Sequence, residues 1–249
     1  YTIGSRSGAA SEQPRVDVQL DPVAGVGDKD KRPAFWLADA PVTQAQFRAW
    51  TETDAYRDWV SEIERSESGH GSHANHFNGD ELPVERVTWF EARAYCRWLE
   101  ERLGARLESR SRELGILVSL HPGLPSEAAW EIACRAAPPL RPMGEPGASS
   151  LASPWGRSAP TDYWSGDGEG ALDSCGWFHS NSNGGTRDVR TKPASPWGLY
   201  DMHGNVWEWC LDRWDKSAYR AAPPMGLAFE RGKMYLEDRR ASRVVRGGS

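Results

Sequence analysis

Residues 198–210 read Gly-Leu-Tyr-Asp-Met-His-Gly-Asn-Val-Trp-Glu-Trp-Cys, and this stretch decides the fold prediction. Gly198 and Gly204 favour turns, because glycine adopts backbone angles that are closed to other residues. From Val206 onward, bulky residues alternate along the chain, which predicts a strand with Glu208 held among tryptophans. A carboxylate in that setting needs a partner, since an unpaired buried charge is very costly.

Two interpretations of the Glu208 carboxylate follow from this setting. In the first, the side chains of Asp201 and Glu208 and the backbone carbonyls of Gly204 and Val206 converge within one tight turn around a hard cation. Calcium is bound by about six to eight oxygens of this kind, backbone carbonyls included. In the second, Glu208 accepts hydrogen bonds from backbone N–H groups and an arginine.

The composition describes an ordinary globular chain with an unusual number of aromatic and turn-forming residues. The 249 residues carry a net charge of -5 and are 39% hydrophobic, enough for one large domain or two small ones. No charge excess favours nucleic acid or a membrane surface, and no apolar run reaches the ~20 residues of a membrane span. The 13 tryptophans, 25 glycines and 17 prolines indicate an aromatic core with many turns.

The cysteines and the first residue bear on where the protein resides. Four cysteines in 249 residues are too few for a disulfide scaffold and are compatible with a reducing compartment. We therefore expect a cytoplasmic protein. Tyr1 is not an initiating residue, so a targeting segment removed from the N-terminus remains an alternative.

Capping signals and apolar periodicity predict about three amphipathic helices. Thr43 and Thr88 each begin a capping box, in which the cap residue and the residue three positions later satisfy each other's free backbone donors. The helix after Thr88 is expected to end at Gly104. Ser126 caps a further helix through Cys134. Helical spacing also joins four apolar residues of the second segment, namely Tyr56, Trp59, Val60 and Ile63.

The remaining chain is predicted to hold a few short strands among long loops. Residues 15–20 alternate polar and apolar side chains, residues 35–37 are a second strand candidate, and residues 243–249 read as a strand running into a glycine turn. Residues 105–123 and 138–170 are expected to be insertions or loops.

Two further clusters of polar residues are candidate sites. His70, His73 and His76 are transition-metal ligands by type, but their spacing of three in a glycine-containing segment favours a solvated loop. Glu127 and Glu131 are one helical turn apart. They form either an acid pair or, more commonly, charges that favour the helix dipole.

Five sequence blocks in the same order resemble the formylglycine-generating enzyme (sulfatase-modifying factor) family, also called the FGE-sulfatase family. The stretch at 198–209 is close to the family signature G-L-Y-D-M-x-G-N-V-W-E-W, and the last seven residues to R-V-x-R-G-G-S. The blocks that carry the resemblance are residues 35–47, 82–99, 124–131, 198–209 and 243–249.

The resemblance implies an α+β, C-type-lectin-like fold with much irregular structure. It implies one domain over residues 1–249, and we expect further chain beyond both ends. It also places a structural calcium at the positions that match Asp201, Gly204, Val206 and Glu208. The family's second calcium site has no clear counterpart here.

The resemblance leaves the catalytic residues of the family without counterparts in this sequence. The enzymes bind copper(I) through a cysteine pair just after the Arg-Gly-Gly-Ser segment, and this sequence ends at Ser249. Thiolates suit copper(I). None of the four cysteines present matches that pair, and they are Cys96, Cys134, Cys175 and Cys210. No catalytic and no cofactor-binding residue is therefore assigned, and copper is expected only if a cysteine pair follows.

Three functional hypotheses remain, and the first is preferred. It is a non-catalytic ligand- or protein-binding module, such as a variable protein diversified by a retroelement or an accessory binding domain, acting through its C-terminal lectin-like face. The second is a copper-dependent formylglycine-generating oxidase acting on a cysteine of sulfatase-type substrates. The third is an iron-dependent sulfoxide-synthase-like enzyme, which would need a histidine-ligand helical domain upstream.

Overall fold

The structure is a computed structural model that describes residues 2–3, 16–17, 37–65, 75–113, 122–136, 161–216 and 241–248. Within these residues the helices are α1 (Gln44–Thr51), α2 (Asp54–Arg65), α3 (Trp89–Glu113), α4 (Glu127–Arg135) and α5 (Gly168–Cys175). The strands are β1 (Thr2–Ile3), β2 (Val16–Asp17), β3 (Glu208–Arg213) and β4 (Arg243–Arg246). This mixture confirms the predicted α+β class.

The predicted helix starts are confirmed by their capping hydrogen bonds. The Thr43 side chain accepts from Gln46 N at 3.2 Å, and Thr43 N donates to the Gln46 side chain at 3.0 Å. Thr88 and Glu91 form the same box ahead of α3, at 3.1 and 2.7 Å. Ser126 caps α4, accepting from Ala129 N at 3.2 Å. Local sequence therefore fixes where these helices begin.

Two predicted boundaries were wrong. Helix α3 continues through Gly104 to Glu113, so it does not end at Gly104, and residues 105–113 are helical rather than a loop. A helix tolerates an interior glycine at a cost of about 1 kcal/mol, and the residues after it are mostly good helix formers. Helix α5 lies partly within the predicted 138–170 loop. Its two glycines lowered its apparent helix propensity. Of the strand candidate at 35–37, only Leu37 is described, and it is not in a strand.

Two small antiparallel sheets complete the described fold. Strands β1 and β2 pair through Thr2 with Asp17 and Ile3 with Val16. Strands β3 and β4 pair Glu208 with Arg246 and Trp209 with Val245, with an irregularity before Arg213. The second pairing brings the end of the 198–210 stretch against the terminal strand, as the sequence predicts.

Two buried clusters hold these elements together. Aromatic residues of α1, α2 and α3 pack around Trp50, whose ring centroid lies 5.3 Å from that of Phe47 and 5.9 Å from that of Tyr95. The other cluster packs α4 against the 198–210 stretch and β4, and its members are Trp130, Ala133, Cys134, Leu199, Met202, Cys210 and Val244. No helix in the described part of the chain has the length and apolar character needed to cross a membrane.

Candidate functional site

The turn at 201–206 is shaped by residues with left-handed backbone angles. Asp201, Gly204 and Asn205 have φ values of 55°, 105° and 64°. Asn205 N donates to the carbonyl oxygen of Trp177 at 2.7 Å. A Cβ on Gly204 would lie 2.0 Å from that same oxygen, so only glycine fits here. The turn therefore packs directly against Trp177, in the segment that follows α5.

Asp201 is buried inside this turn and held by neighbouring donors. Its carboxylate accepts from Arg190 N at 2.8 Å and contacts the Asn205 amide nitrogen at 3.5 Å. Burial raises the pKa of Asp201, although these hydrogen bonds and the charge of Arg190 oppose the shift. The Arg190 guanidinium is itself paired with Asp39 at 2.6 Å. Asp201 therefore places a hydrogen-bonded carboxyl group in the interior of the turn.

Glu208 is the second carboxylate of the turn. Its Oε2 accepts from the indole nitrogen of Trp130 at 3.2 Å. Burial raises the pKa of Glu208 to about 7 despite that hydrogen bond, and repulsion from Asp201 adds to the rise. Among the described residues, no backbone N–H and no arginine donates to this carboxylate, in contrast to the second interpretation of its setting.

The cation ligands predicted in this turn are all oxygen atoms, and one of them has no protein partner among the residues that the structure describes. Two carboxylates repel each other here, and Glu208 Oε1 has no hydrogen-bond partner in the described part of the chain. The carbonyl oxygen of Val206 and Oε1 of Glu208 lie near one point, 2.8 and 3.9 Å from a Cβ built on Gly247. No three His, Cys, Asp or Glu side chains converge as a metal site in the described ranges. A cation here would therefore depend on backbone carbonyls as well as on the two carboxylates.

Trp207 is the largest departure from the predicted site. Its side chain is 60% exposed, whereas the sequence places it in the packing around Glu208. Trp209 is partly buried and donates its indole N–H to Val87 O at 3.0 Å. The residue that packs on Glu208 is instead Trp130 of α4, which sequence reasoning missed. The sequence signal for Trp130 is its place in the family block at residues 124–131. No local pattern in the sequence relates Trp130 to Glu208.

The cysteines are neutral thiols in the described structure. All four are unpaired with one another. Burial raises the pKa of every one of them, to about 11 for Cys96. Cys134 lies 3.5 Å from both His203 Nδ1 and the Met202 carbonyl oxygen, and burial lowers the pKa of His203 to about 4. This arrangement is a neutral buried pair rather than a thiolate–imidazolium nucleophile.

The two other candidate clusters have structural partners where they are described. Glu131 binds both Arg246 and, at 2.6 Å, Arg135. Glu127 lies 3.6 Å from Arg246, so the two acids pair with arginine rather than with each other. His76 N donates to Glu85 at 2.8 Å, while residues 70 and 73 lie outside the described residues.

Comparisons with known proteins connect this fold to several functions. The serine/threonine-protein kinase pkn1 of Chlamydia caviae is 29% identical over 271 residues, 100% of this chain and 31% of that protein. The formylglycine-generating enzyme of Thermomonospora curvata is 27% identical over 178 residues, 67% of this chain and 44% of the enzyme. Chaperone protein LppX of Paenibacillus barcinonensis is 27% identical over 227 residues, 82% of this chain and 75% of the chaperone.

The structural comparison agrees with the fold. Treponema denticola variable protein 1 matches 100% of this chain and 80% of its own, with a TM-score of 0.55 and 21% identity. The chain spans less than half of the kinase and of the formylglycine-generating enzyme that it resembles. The profile of the sulfatase-modifying factor enzyme 1-like domain matches residues 11–249, and the chain belongs to that family.

Proposed function

We propose that this chain is a non-catalytic ligand- or protein-binding module whose binding surface centres on Trp207. The observation that carries the proposal is the 60% exposure of this tryptophan, directly before the partly buried Glu208. An exposed large aromatic side chain on an ordered element is a typical anchor of a binding surface.

The surroundings of Trp207 support this role. Strand pairing of Glu208 with Arg246 places Trp207 next to Gly247 across the sheet. Gly247 and Gly248 have φ values of 97° and 94°, and space around Gly248 is open. We name Trp207, Gly247 and Gly248 the binding face. It combines an exposed aromatic ring with a partly exposed glycine turn, in which nothing lies within 4 Å of a Cβ built on Gly248.

Calcium would support this face from beneath. We propose that Asp201 and Glu208, with the carbonyls of Gly204 and Val206, hold the ion. Its charge would neutralise two carboxylates whose pKa values are raised by burial. The segment held in this way carries Trp207, so the ion would limit the motion of the anchor. The role is structural and includes no chemical step.

The names of the relatives are consistent with binding. A protein named a chaperone matches this chain over 75% of its own length, so most of that protein resembles this domain. A protein kinase contains a matching region that covers 31% of its length. Domains of this family thus occur in proteins whose names denote no oxidase, and fold alone does not assign activity.

A copper-dependent formylglycine-generating oxidase is the second candidate. It is favoured by the formylglycine-generating enzyme that matches 67% of this chain. Copper(I) needs accessible thiolates, and burial raises the pKa of all four thiols described here. Its copper ligands would therefore have to be other cysteines of the full protein.

Ligand selection with matched tryptophan variants tests the binding proposal. Ligands for the full-length protein are selected from a displayed peptide library and a glycan panel, then measured against Trp207→Ala and Trp214→Ala. Trp214 is the control, because it is 54% exposed but lies beyond the far end of β3. We expect Trp207→Ala to weaken the selected ligands by roughly tenfold or more. Ligands weakened only by Trp214→Ala would contradict the proposed face.

A direct assay distinguishes the second candidate. The full-length protein is loaded with copper(I) and incubated under oxygen with a cysteine peptide of the sulfatase type. Peptide mass spectrometry then reports conversion of cysteine to formylglycine. Conversion with turnover would overturn the non-catalytic proposal, and an unchanged peptide with intact ligand binding supports it.

A further inference from the structure

Trp130 contacts both Glu208 and the end of β4 beside the proposed calcium site. It is 3% exposed on α4, and its indole nitrogen donates to Glu208 Oε2 at 3.2 Å. Its ring carbon Cζ2 lies 3.8 Å from a Cβ built on Gly247. The guanidinium carbon of Arg246 lies 5.5 Å from the centre of its ring. One side chain therefore touches a candidate calcium ligand and the strand end beside the binding face.

Ion pairs from the same helix fix Arg246 in this position. Glu131 binds the Arg246 guanidinium, and Glu127 lies 3.6 Å from it. Arg135 pairs with the other carboxylate oxygen of Glu131, Oε1, at 2.6 Å. Because Arg246 directly precedes Gly247, helix α4 holds the glycine turn through its charges as well as through the Trp130 ring.

The single hydrogen bond from Trp130 has a specific consequence for Glu208. An indole N–H orients the carboxylate through Oε2 without supplying positive charge to Glu208. Oε1 has no partner among the described residues and lies 3.9 Å from a Cβ built on Gly247, which is itself 2.8 Å from the Val206 carbonyl oxygen. Donors that orient a ligand in this way commonly change metal affinity by about 10- to 100-fold.

We propose that Trp130 is the positioning residue of the calcium turn. Its indole N–H orients the Glu208 carboxylate, and its ring supports Gly247 against the Val206 carbonyl. This inference rests on the calcium site of the proposed function. The new element is Trp130, a residue of the distant helix α4. Its role is to orient the ligand Glu208, and its own side chain does not bind the ion.

The test compares two buried tryptophans that differ in what their N–H groups bind. Trp130→Phe removes the N–H and keeps an aromatic ring. Trp89→Phe is the matched control, because Trp89 is also 3% exposed, donates its N–H at 2.9 Å and has a guanidinium 3.9 Å from its ring centre. Its acceptor is the backbone carbonyl of Cys210, which is not among the proposed ligands.

Calcium affinity is measured by isothermal titration of chelator-treated full-length protein, at a temperature where circular dichroism shows each variant folded. We expect Trp130→Phe to bind calcium roughly tenfold more weakly and Trp89→Phe to stay within about twofold of the unmodified protein. Equal losses in both variants, or no loss in Trp130→Phe, would overturn the role of Trp130 alone. Failure of the unmodified protein to bind calcium would overturn the calcium site as well.

Discussion

Trp207 and Trp209 lie two residues apart and have different surroundings. Trp209 is partly buried and bonded to Val87, whereas Trp207 is mostly exposed. Truncating Trp209 to alanine removes packing and the hydrogen bond to the Val87 carbonyl oxygen, so we expect a loss of about 3 kcal/mol in the free energy of unfolding. Trp207→Ala should cost less than about 0.5 kcal/mol. Urea denaturation of both variants checks this, and similar losses would mean that Trp207 is packed.

The residue scale shows how far spacing alone can predict contacts. Alternation predicts that residues 207 and 209 share one environment around Glu208. The strand instead begins at Glu208, and Trp207 belongs to the end of the turn. The true neighbour of Glu208 is Trp130, which is 78 residues earlier in the chain. No local period encodes a contact over that distance, so sequence identified the carboxylate and missed the residue that orients it.

In the glycine turn after β4, which consists of Gly247 and Gly248, the backbone geometry limits which residues can replace glycine. A Cβ on Gly247 would lie 2.8 Å from the carbonyl oxygen of Val206, at a φ of 97°. We expect Gly247→Ala to cost about 2–4 kcal/mol, from left-handed strain and from collision with backbone. Gly248 is the control, because its φ of 94° imposes similar strain while nothing lies within 4 Å of its Cβ.

Gly248→Ala should therefore cost only about 1 kcal/mol, from strain alone. Guanidinium denaturation of the two variants measures the difference. Equal losses would show that the approach of Gly247 to Val206 does not restrict the turn.

Helix starts were better predicted from sequence than helix ends. The capping residues Thr43, Thr88 and Ser126 each use a side chain to satisfy backbone donors, so the signal is local and the structure confirms it. Gly104 was expected to end α3, but a glycine can also continue a helix at modest cost. The end of a helix depends on what packs against its last turns, which the sequence does not show.

At the scale of the whole molecule, His203 makes the stability of the protein depend on pH. Its ring contacts Cys134 Sγ at 3.5 Å, packs edge-to-face with Tyr163 and accepts from Trp164 N at 3.4 Å. Burial, with repulsion from Arg135, lowers its pKa from 6.5 to about 4. The unfolded chain therefore binds a proton at a higher pH than the folded chain does.

The contribution of His203 is complete above about pH 6.5 and is lost as the pH falls toward 4. We expect the unmodified protein to lose about 2 kcal/mol more than His203→Gln over that interval, after allowance for partial exposure of the ring. Urea denaturation at pH 7 and pH 4.5 measures how much free energy of unfolding each of the two proteins loses between these pH values. The other titrating groups are common to the two proteins, so parallel pH profiles would show that His203 titrates normally.

Family and fold could be predicted from the sequence because five short blocks each carry their own local signal. The α+β class and family membership are confirmed. The way in which α4, the 201–208 turn and the glycine turn meet could not be predicted, because it depends on contacts between distant segments such as Glu131 with Arg246. The calcium site is a proposal that the measurement below tests.

Thermal unfolding with and without calcium tests the central claim, that a cation bound by Asp201 and Glu208 supports the binding face. An ion that binds only the folded state at one hundred times its Kd stabilises by about 2.7 kcal/mol. We expect the Tm to rise by several degrees in saturating calcium relative to excess chelator, and Glu208→Gln to abolish most of that rise. An identical Tm in calcium and in chelator would contradict the account.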